Sequence, residues 1–423
     1  MYKHQKHTLE NGLRVITIPM MDTAAVSVLI MANVGSRYES REINGISHFL
    51  EHMVFKGTKN KPSTIEISST IDALGAEFNA FTSEEYTGYY IKSQAKDFNT
   101  SLETLHDMLY NSLFDQKEID REKGVISAEI NMYRDDPKLH VYQLAQSLIY
   151  GDTPLGWDVA GKIETIKTFK RENFLDYLKK FYKAKNIVIA VAGKQIGSWI
   201  DEIEKITANK EAGEINNYKK VAISQKQPAV NLEYRKTDQA HFILSFRTFS
   251  RYDKRRHAAE VLSNILGGSM SSRLFISVRE RKGLAYYVRS SSSLYGDNGD
   301  FGINAGVDPN RVDEAISTVR EEIEKIQKEL VGEKELNKSK ENICGRFALS
   351  LEESLEVAQY FAAEELLLNN IEDPMEYSRH IRAVTAEDVR DLAKEIFDFN
   401  KSNLAIVGPY KDEEKFLKLI RQG

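Results

Sequence analysis

The residues best suited to chemistry are His48-Phe49-Leu50-Glu51-His52. On a helix, positions four apart share a face, so both imidazoles can reach one ion. Glu51, three residues after His48, projects beside the same point. Two neutral imidazoles suit zinc, which also takes carboxylate oxygen. A catalytic zinc usually has three protein ligands and one water, so a third ligand must come from elsewhere. Glu122 and Glu129 lie two turns apart on a predicted helix over 117–133 and share a face. Ile119, Val125, Ile126 and Ile130 supply an apolar stripe to seat that helix. Spacing alone leaves both glutamates open as ligands, and leaves open an ordinary solvated carboxylate face.

The surrounding pattern predicts what holds these groups. Asn11-Gly12 reads as the turn of an opening hairpin, followed by a strand over 24–34. Helices are predicted over 46–54 and 65–74. The Phe-, Tyr- and Thr-rich stretch 77–93 reads as two strands with a turn near Ser83-Glu84. Helical patterns over 95–111, 117–133, 139–149 and 171–181 follow, then a strand over 186–192. This closing pattern recurs: 166–193 resembles 381–408 at an offset of 215 residues. Phe169, Phe174, Tyr177 and Phe181 align with Val384, Val389, Leu392 and Ile396, and the strands after them align with a two-residue shift. The stretch 239–249 resembles 25–35, and 258–266 takes the place of the helix near Ile46.

The repeat predicts two domains of similar fold, 1–205 and 229–423, joined by a polar linker over 206–228. Hairpins mixed with helices favour an α+β class, each domain a largely antiparallel sheet packed with helices. The charged stretch 314–341 carries Ile316, Val319, Ile323, Ile326 and Leu330 at helical spacing. It reads as a surface helix pair interrupted at Gly332.

Composition narrows the function. The 423 residues carry 58 Lys+Arg and 63 Asp+Glu, a net charge of −5. That balance argues against nucleic acid or an anionic membrane as the main partner. The single cysteine, Cys344, excludes an internal disulfide and a cysteine-based zinc site. The start has no apolar signal-peptide core, and the longest apolar runs, 26–34 and 187–192, fall well short of the roughly 20 residues that span a bilayer. The expected compartment is the cytoplasm.

Taken together, the motifs resemble peptidase family M16. His48-x-x-Glu51-His52, followed after 76 residues by Glu129, is similar to that family's inverted zinc motif. The flanks agree: Gly45-Ile46-Ser47, Phe55-Lys56-Gly57-Thr58, and Asn79-Ala80-Phe81-Thr82-Ser83-x-Glu85-x-Thr87. In the second half, 266–275 (LGGSMSSRLF) and Val278-Arg279-Glu280-x-x-Gly283-Leu284-Ala285-Tyr286 resemble the family's C-terminal signature. The length is similar to the short, processing-peptidase-like branch.

The resemblance implies roles. His48, His52 and Glu129 would ligate one zinc per chain. Glu51 would be the base that takes a proton from the zinc-bound water, and Glu122 would orient a ligand or the base. Arg279 and Tyr286 would contact substrate and stabilise the oxyanion. Asn79, Ala80, Phe81 and Thr82 would bind the peptide as an added β-strand. Gly267-Gly268 would give a flexible loop. The implied activity is zinc-dependent endopeptidase cleavage of short or unfolded polypeptides inside a chamber. One chain supplies half of that chamber, so a homodimer is expected, or a heterodimer with a related subunit. Two other readings are a non-catalytic subunit of a heteromeric M16 peptidase and a metal-storage or regulatory protein. The intact motif argues against the first, and Glu51 has no purpose in the second.

Overall fold

The computed structural model describes residues 3–421. The chain divides into two compact units. The first holds a six-stranded sheet of β1 (Gln5–Thr8), β2 (Arg14–Pro19), β3 (Ala25–Ala32), β4 (Glu77–Thr82), β5 (Thr87–Gln94) and β6 (Ile187–Gly193). Their order is β1-β2-β6-β3-β5-β4. The second holds β7 (Ala229–Tyr234), β8 (Ala240–Thr248), β9 (Ala285–Leu294), β10 (Gly299–Val307) and β11 (Asn403–Gly408), in the order β7-β11-β8-β10-β9. Each sheet is antiparallel apart from one parallel pair, β2 with β6 and β7 with β11. The class is α+β, and the two sheets repeat one plan.

The last strand of each half slots between earlier ones. In the first sheet Ser27 pairs with Ala192, and in the second His241 pairs with Val407. The preceding helices, Arg171–Phe181 and Ala386–Ile396, match end to end at the 215-residue offset. Their strands end at Gly193 and Gly408 with the same offset. The two-residue shift expected from sequence is therefore absent.

Each central strand is buried on both faces. In β3, Val26, Val28 and Ile30 join the main core of the first unit, while Ser27, Leu29 and Met31 are equally buried on the other side. A strand with two covered faces reads as a continuous apolar run, as Ile187–Gly193 does. The cover for the second face comes from the other half of the chain. The helix Ser354–Leu368 belongs to the first unit and packs on β3 and β6. The helix Pro137–Tyr150 belongs to the second unit and packs on β8 and β11. There Val141 and Ala145 meet Ile243, Ala405 and Val407.

Polar contacts fasten the exchange in the first unit. Ser27 Oγ and Ser354 Oγ lie 2.9 Å apart. The buried Glu365 carboxylate accepts Lys6 at 2.8 Å and Arg14 at 3.2 Å. The contiguous boundaries 1–205 and 229–423 thus need correction. Each names the strands of one sheet, but includes the helix it lends to the other unit and leaves out the helix it borrows.

The 206–228 stretch is also less loose than its composition suggests. Asn216 donates to the carbonyls of Asn33 and Phe181, and the Arg37 guanidinium lies 3.7 Å from the Tyr218 ring centroid, all in the first unit. Val221 donates its N–H to Asp297 in the second unit. The helix Val312–Lys328 buries Ile316, Val319, Ile323 and Ile326, so it is a core-covering helix rather than a solvated one. Gly267 is not part of a flexible loop. It ends the helix Arg256–Gly267, and a Cβ there would lie 2.3 Å from the Ser290 nitrogen, so glycine permits close contact with β9. Among the described residues, no helix is long and apolar enough to cross a membrane.

Candidate metal centre

The helix Ile46–Met53 buries Ile46, Phe49, Leu50 and Met53. Phe49 sits edge-on to Phe174, with ring centroids 5.0 Å apart. Seating that face turns His48 and His52 to the opposite side, half-exposed, with ring centroids 4.7 Å apart.

The helix Gln116–Asp135 brings the carboxylates. Ile119, Glu122 and Ile126 form its buried face, so Glu122 takes an inward place expected for Val125, which is 48% exposed. Glu129 lies one turn further on. Its Oε1 is 3.6 Å from His48 Nε2 and its Oε2 is 3.4 Å from His52 Nε2. One donor atom from each of His48, His52 and Glu129 lies within 4.8 Å of the others.

Glu122 sits behind this cluster. Its Oε1 is 2.9 Å from His52 Nδ1 and its Oε2 is 2.7 Å from Lys56 Nζ. With a proton held at Nδ1, the Nε2 lone pair of His52 is directed at Glu129, the arrangement a metal-ligating imidazole needs. His48 Nδ1 is buried with no hydrogen-bond partner among the described residues.

Electrostatics follow the geometry. Burial alone would lower the His52 pKa, but hydrogen bonds to Glu122 and Glu129, with their charges, raise it to about 9. Contacts with His48 and His52 hold the Glu129 carboxyl well below its usual range, against the effect of burial. Burial would raise Glu122, and the bonds to His52 and Lys56 lower it. The site without metal is thus a protonated imidazole among carboxylates. An ion that binds must displace that proton, so binding weakens as pH falls below about 9. Two imidazoles and one carboxylate are a donor set for a catalytic zinc, and these residues fit that ion.

Glu51 is on the same helix, half-buried, and outside the three-residue cluster. The phenols of Tyr89 and Tyr182, 2.9 Å apart, lie close enough to feel its charge. Burial chiefly, and that charge among others, keeps both phenols protonated.

Asn79, Ala80, Phe81 and Thr82 lie on β4, which ends the first sheet and, among the described residues, pairs only with β5. The metal-site helix packs on this strand, and Phe55 just beyond the helix meets Phe78 with ring centroids 5.7 Å apart. The Asn79 side chain accepts the Ala80 N–H at 2.9 Å. Arg279 and Tyr286 belong to the second unit. Arg279 is in the wide-turn helix Phe275–Arg281, its guanidinium 4.8 Å from the Phe275 ring centroid. Tyr286, on the edge strand β9, is 58% exposed, whereas its neighbour Tyr287 is 3.0 Å from His241 Nδ1.

Two participants were not singled out from sequence. Lys56 lies three residues past the end of the metal-site helix, where its ammonium reaches the Glu122 carboxylate. Glu39 is buried against the start of the metal-site helix, and no motif marks it.

Residues 14–162 match the model of insulinase, peptidase family M16, and residues 168–343 match the peptidase M16 inactive domain. An uncharacterised zinc protease of Bacillus subtilis, YmxG, is 37% identical over 96% of this chain and 98% of its own. One from Streptomyces coelicolor is 34% identical over 97% of this chain and 90% of its own. The crystal structure of a protease from Helicobacter pylori superposes with a TM-score of 0.89 at 25% identity, covering 96% of this chain and all of that one. With family models matched in both halves and a 37% identical relative aligned over nearly its full length, this chain belongs to peptidase family M16.

Proposed function

We propose that the protein is a zinc-dependent endopeptidase acting on short or unfolded polypeptides. The observation that carries this reading is the convergence of His48, His52 and Glu129 donor atoms, with Glu51 on the same helix as the two histidines but outside that cluster. When bound, zinc would supply Lewis acidity and acidify a water at its open position.

The chain's own groups do the rest. Glu122 holds the proton at His52 Nδ1 and so keeps Nε2 free to ligate. The Glu51 carboxylate takes a proton from the attacking water and delivers it to the leaving amide nitrogen. The Arg279 guanidinium and the Tyr286 hydroxyl stabilise charge on the tetrahedral oxygen. The open edge of β4 binds an extended peptide through main-chain hydrogen bonds, which favours unfolded segments without reading side chains closely.

The test is cleavage of a quenched fluorogenic peptide, with zinc measured on the same sample. Turnover that a chelator removes and zinc restores, at one zinc per chain, is the expected result. No turnover with zinc fully bound, across a panel of unrelated peptides, would overturn the catalytic reading.

We further propose a homodimer in which Arg279 and Tyr286 serve the partner's metal centre. Mixing Glu51→Gln chains with Arg279→Ala chains is then expected to recover part of the activity that each lacks alone. No recovery in verified mixed dimers would place the action within one chain.

A further inference from the structure

The metal-site helix lacks an ordinary cap. Its N-cap residue, Gly45, has φ +98° and offers no side-chain bond. A Cβ there would meet the Ala160 carbonyl oxygen at 2.6 Å and Ile166 Cδ1 at 2.8 Å. The usual capping residues, Ser, Thr, Asp or Asn, are therefore shut out of this position.

A carboxylate six residues upstream occupies the same place. Glu39, only 5% exposed, accepts the Gly45 N–H at 2.7 Å and the Asn44 side-chain amide at 3.0 Å through Oε2. Its Oε1 accepts the Ser47 N–H at 2.8 Å. Ser47 directly precedes His48, and its hydroxyl is 2.6 Å from the Tyr177 hydroxyl.

The segment that delivers Glu39 also grips the β4–β5 turn. Arg37, fully buried, pairs with Glu85. The backbone N–H of Arg37 donates to the Glu84 carbonyl at 2.8 Å, and that of Ser36 to the Ser83 carbonyl at 3.3 Å.

We propose that Glu39 is a positioning residue for the metal centre, acting as a remote cap that fixes the helix carrying His48 and His52 and sets its metal affinity. The inference rests on the reading of His48, His52 and Glu129 as ligands. Two physical effects act together. The bonds to Gly45 and Ser47 fix where the first turn begins, and so where the His48 ring is aimed. The positive end of a helix is equivalent to about half a unit charge and would disfavour a cation near the first turn, which carries His48. Burial pushes the Glu39 carboxyl up in pKa while its bonds to Ser47, Gly45 and Asn44 pull it down, and in its ionised form it offsets the repulsion.

The experiment compares zinc affinity, by chelator competition, in the full chain and in Glu39→Ala, Glu39→Gln and Val389→Ala. Val389 lies in the second unit's core, so its variant controls for general loss of stability. Circular dichroism confirms that each is folded at the assay temperature. Amide exchange of Ser47 is followed in parallel. Glu39→Ala is expected to lose about 10–100-fold in zinc affinity, the range for an outer residue that orients a ligand, with faster exchange at Ser47. Glu39→Gln keeps an acceptor oxygen and is expected to lose less. Val389→Ala is expected to melt earlier with zinc affinity unchanged.

Glu39 variants that melt earlier yet bind zinc like the parent would overturn the proposal and leave Glu39 a general stabiliser. If Glu39→Ala does not fold, Glu39→Gln decides between the same two outcomes. Absence of zinc binding by the parent chain would overturn both this proposal and the ligand assignment beneath it, whereas equal affinities overturn this one alone.

Discussion

Glu51→Gln is expected to leave zinc bound and to lower turnover by about 10²–10⁴-fold, the usual contribution of general acid–base catalysis. The substitution keeps size and removes the only function assigned to the side chain, carrying a proton. Glu51 is half-buried beside the ligand helix face and lies outside the His48, His52 and Glu129 cluster, so the metal should be unaffected. The phenols of Tyr89 and Tyr182 near it remain protonated and cannot replace it as a base. Metal analysis and peptidase kinetics on one preparation check both halves of the expectation. Rates close to the parent's would remove Glu51 from the mechanism, and loss of zinc would make it a ligand.

Glu129→Gln carries the second large effect, and it falls on metal affinity. Glu129 is the only carboxylate in the proposed ligand set of His48, His52 and Glu129, and a neutral amide oxygen is a poor replacement for a carboxylate facing a dication. The loss should exceed the roughly 10–100-fold expected for Glu122→Gln, which disturbs only a supporting hydrogen bond. Proton competition masks part of it. In the metal-free site His52 titrates at about 9, so at pH 7 displacing its proton costs roughly two factors of ten. Removing Glu129 takes away one cause of that raised pKa, so the proton competes less well in the variant. The deficit should therefore look smaller at pH 7 than above pH 9, where the proton no longer competes in either protein. Chelator competition at both pH values tests this. Equal affinities throughout would put the third ligand elsewhere.

Sequence spacing carried a good deal of this site. His48, Glu51 and His52 are legible because a helix places residues three and four apart on one face. Glu129 came only through family resemblance, because its helix lies far along the chain and spacing cannot state which helices adjoin. The same limit explains Val125. The apolar pattern seated the helix correctly through Ile119 and Ile126, but burial continues through Glu122, whose charge is matched by Lys56 and His52. Glu39 left no trace because a cap delivered from six residues upstream has no fixed pattern.

For the fold, strand and helix spans were largely readable from hairpin and helical periodicities. The exchange of Pro137–Tyr150 and Ser354–Leu368 was not. Amphipathicity says that a helix buries a face and says nothing of which sheet receives it. The unbroken apolar run of β6 did require cover on both sides, without naming its source.

That exchange has a consequence for how the protein is made. During synthesis the strands of the first sheet leave the ribosome early, β6 included, yet one of its faces stays bare until Leu368 has emerged. The nascent chain therefore carries an apolar surface, centred on Leu29, Met31 and Val188, from the emergence of β6 until that of the helix Ser354–Leu368. A chain cut anywhere in 206–228 would keep that surface permanently. Completion of the half that carries His48, His52 and Glu129 is in this way tied to the arrival of the other half, and a prematurely terminated product is left aggregation-prone.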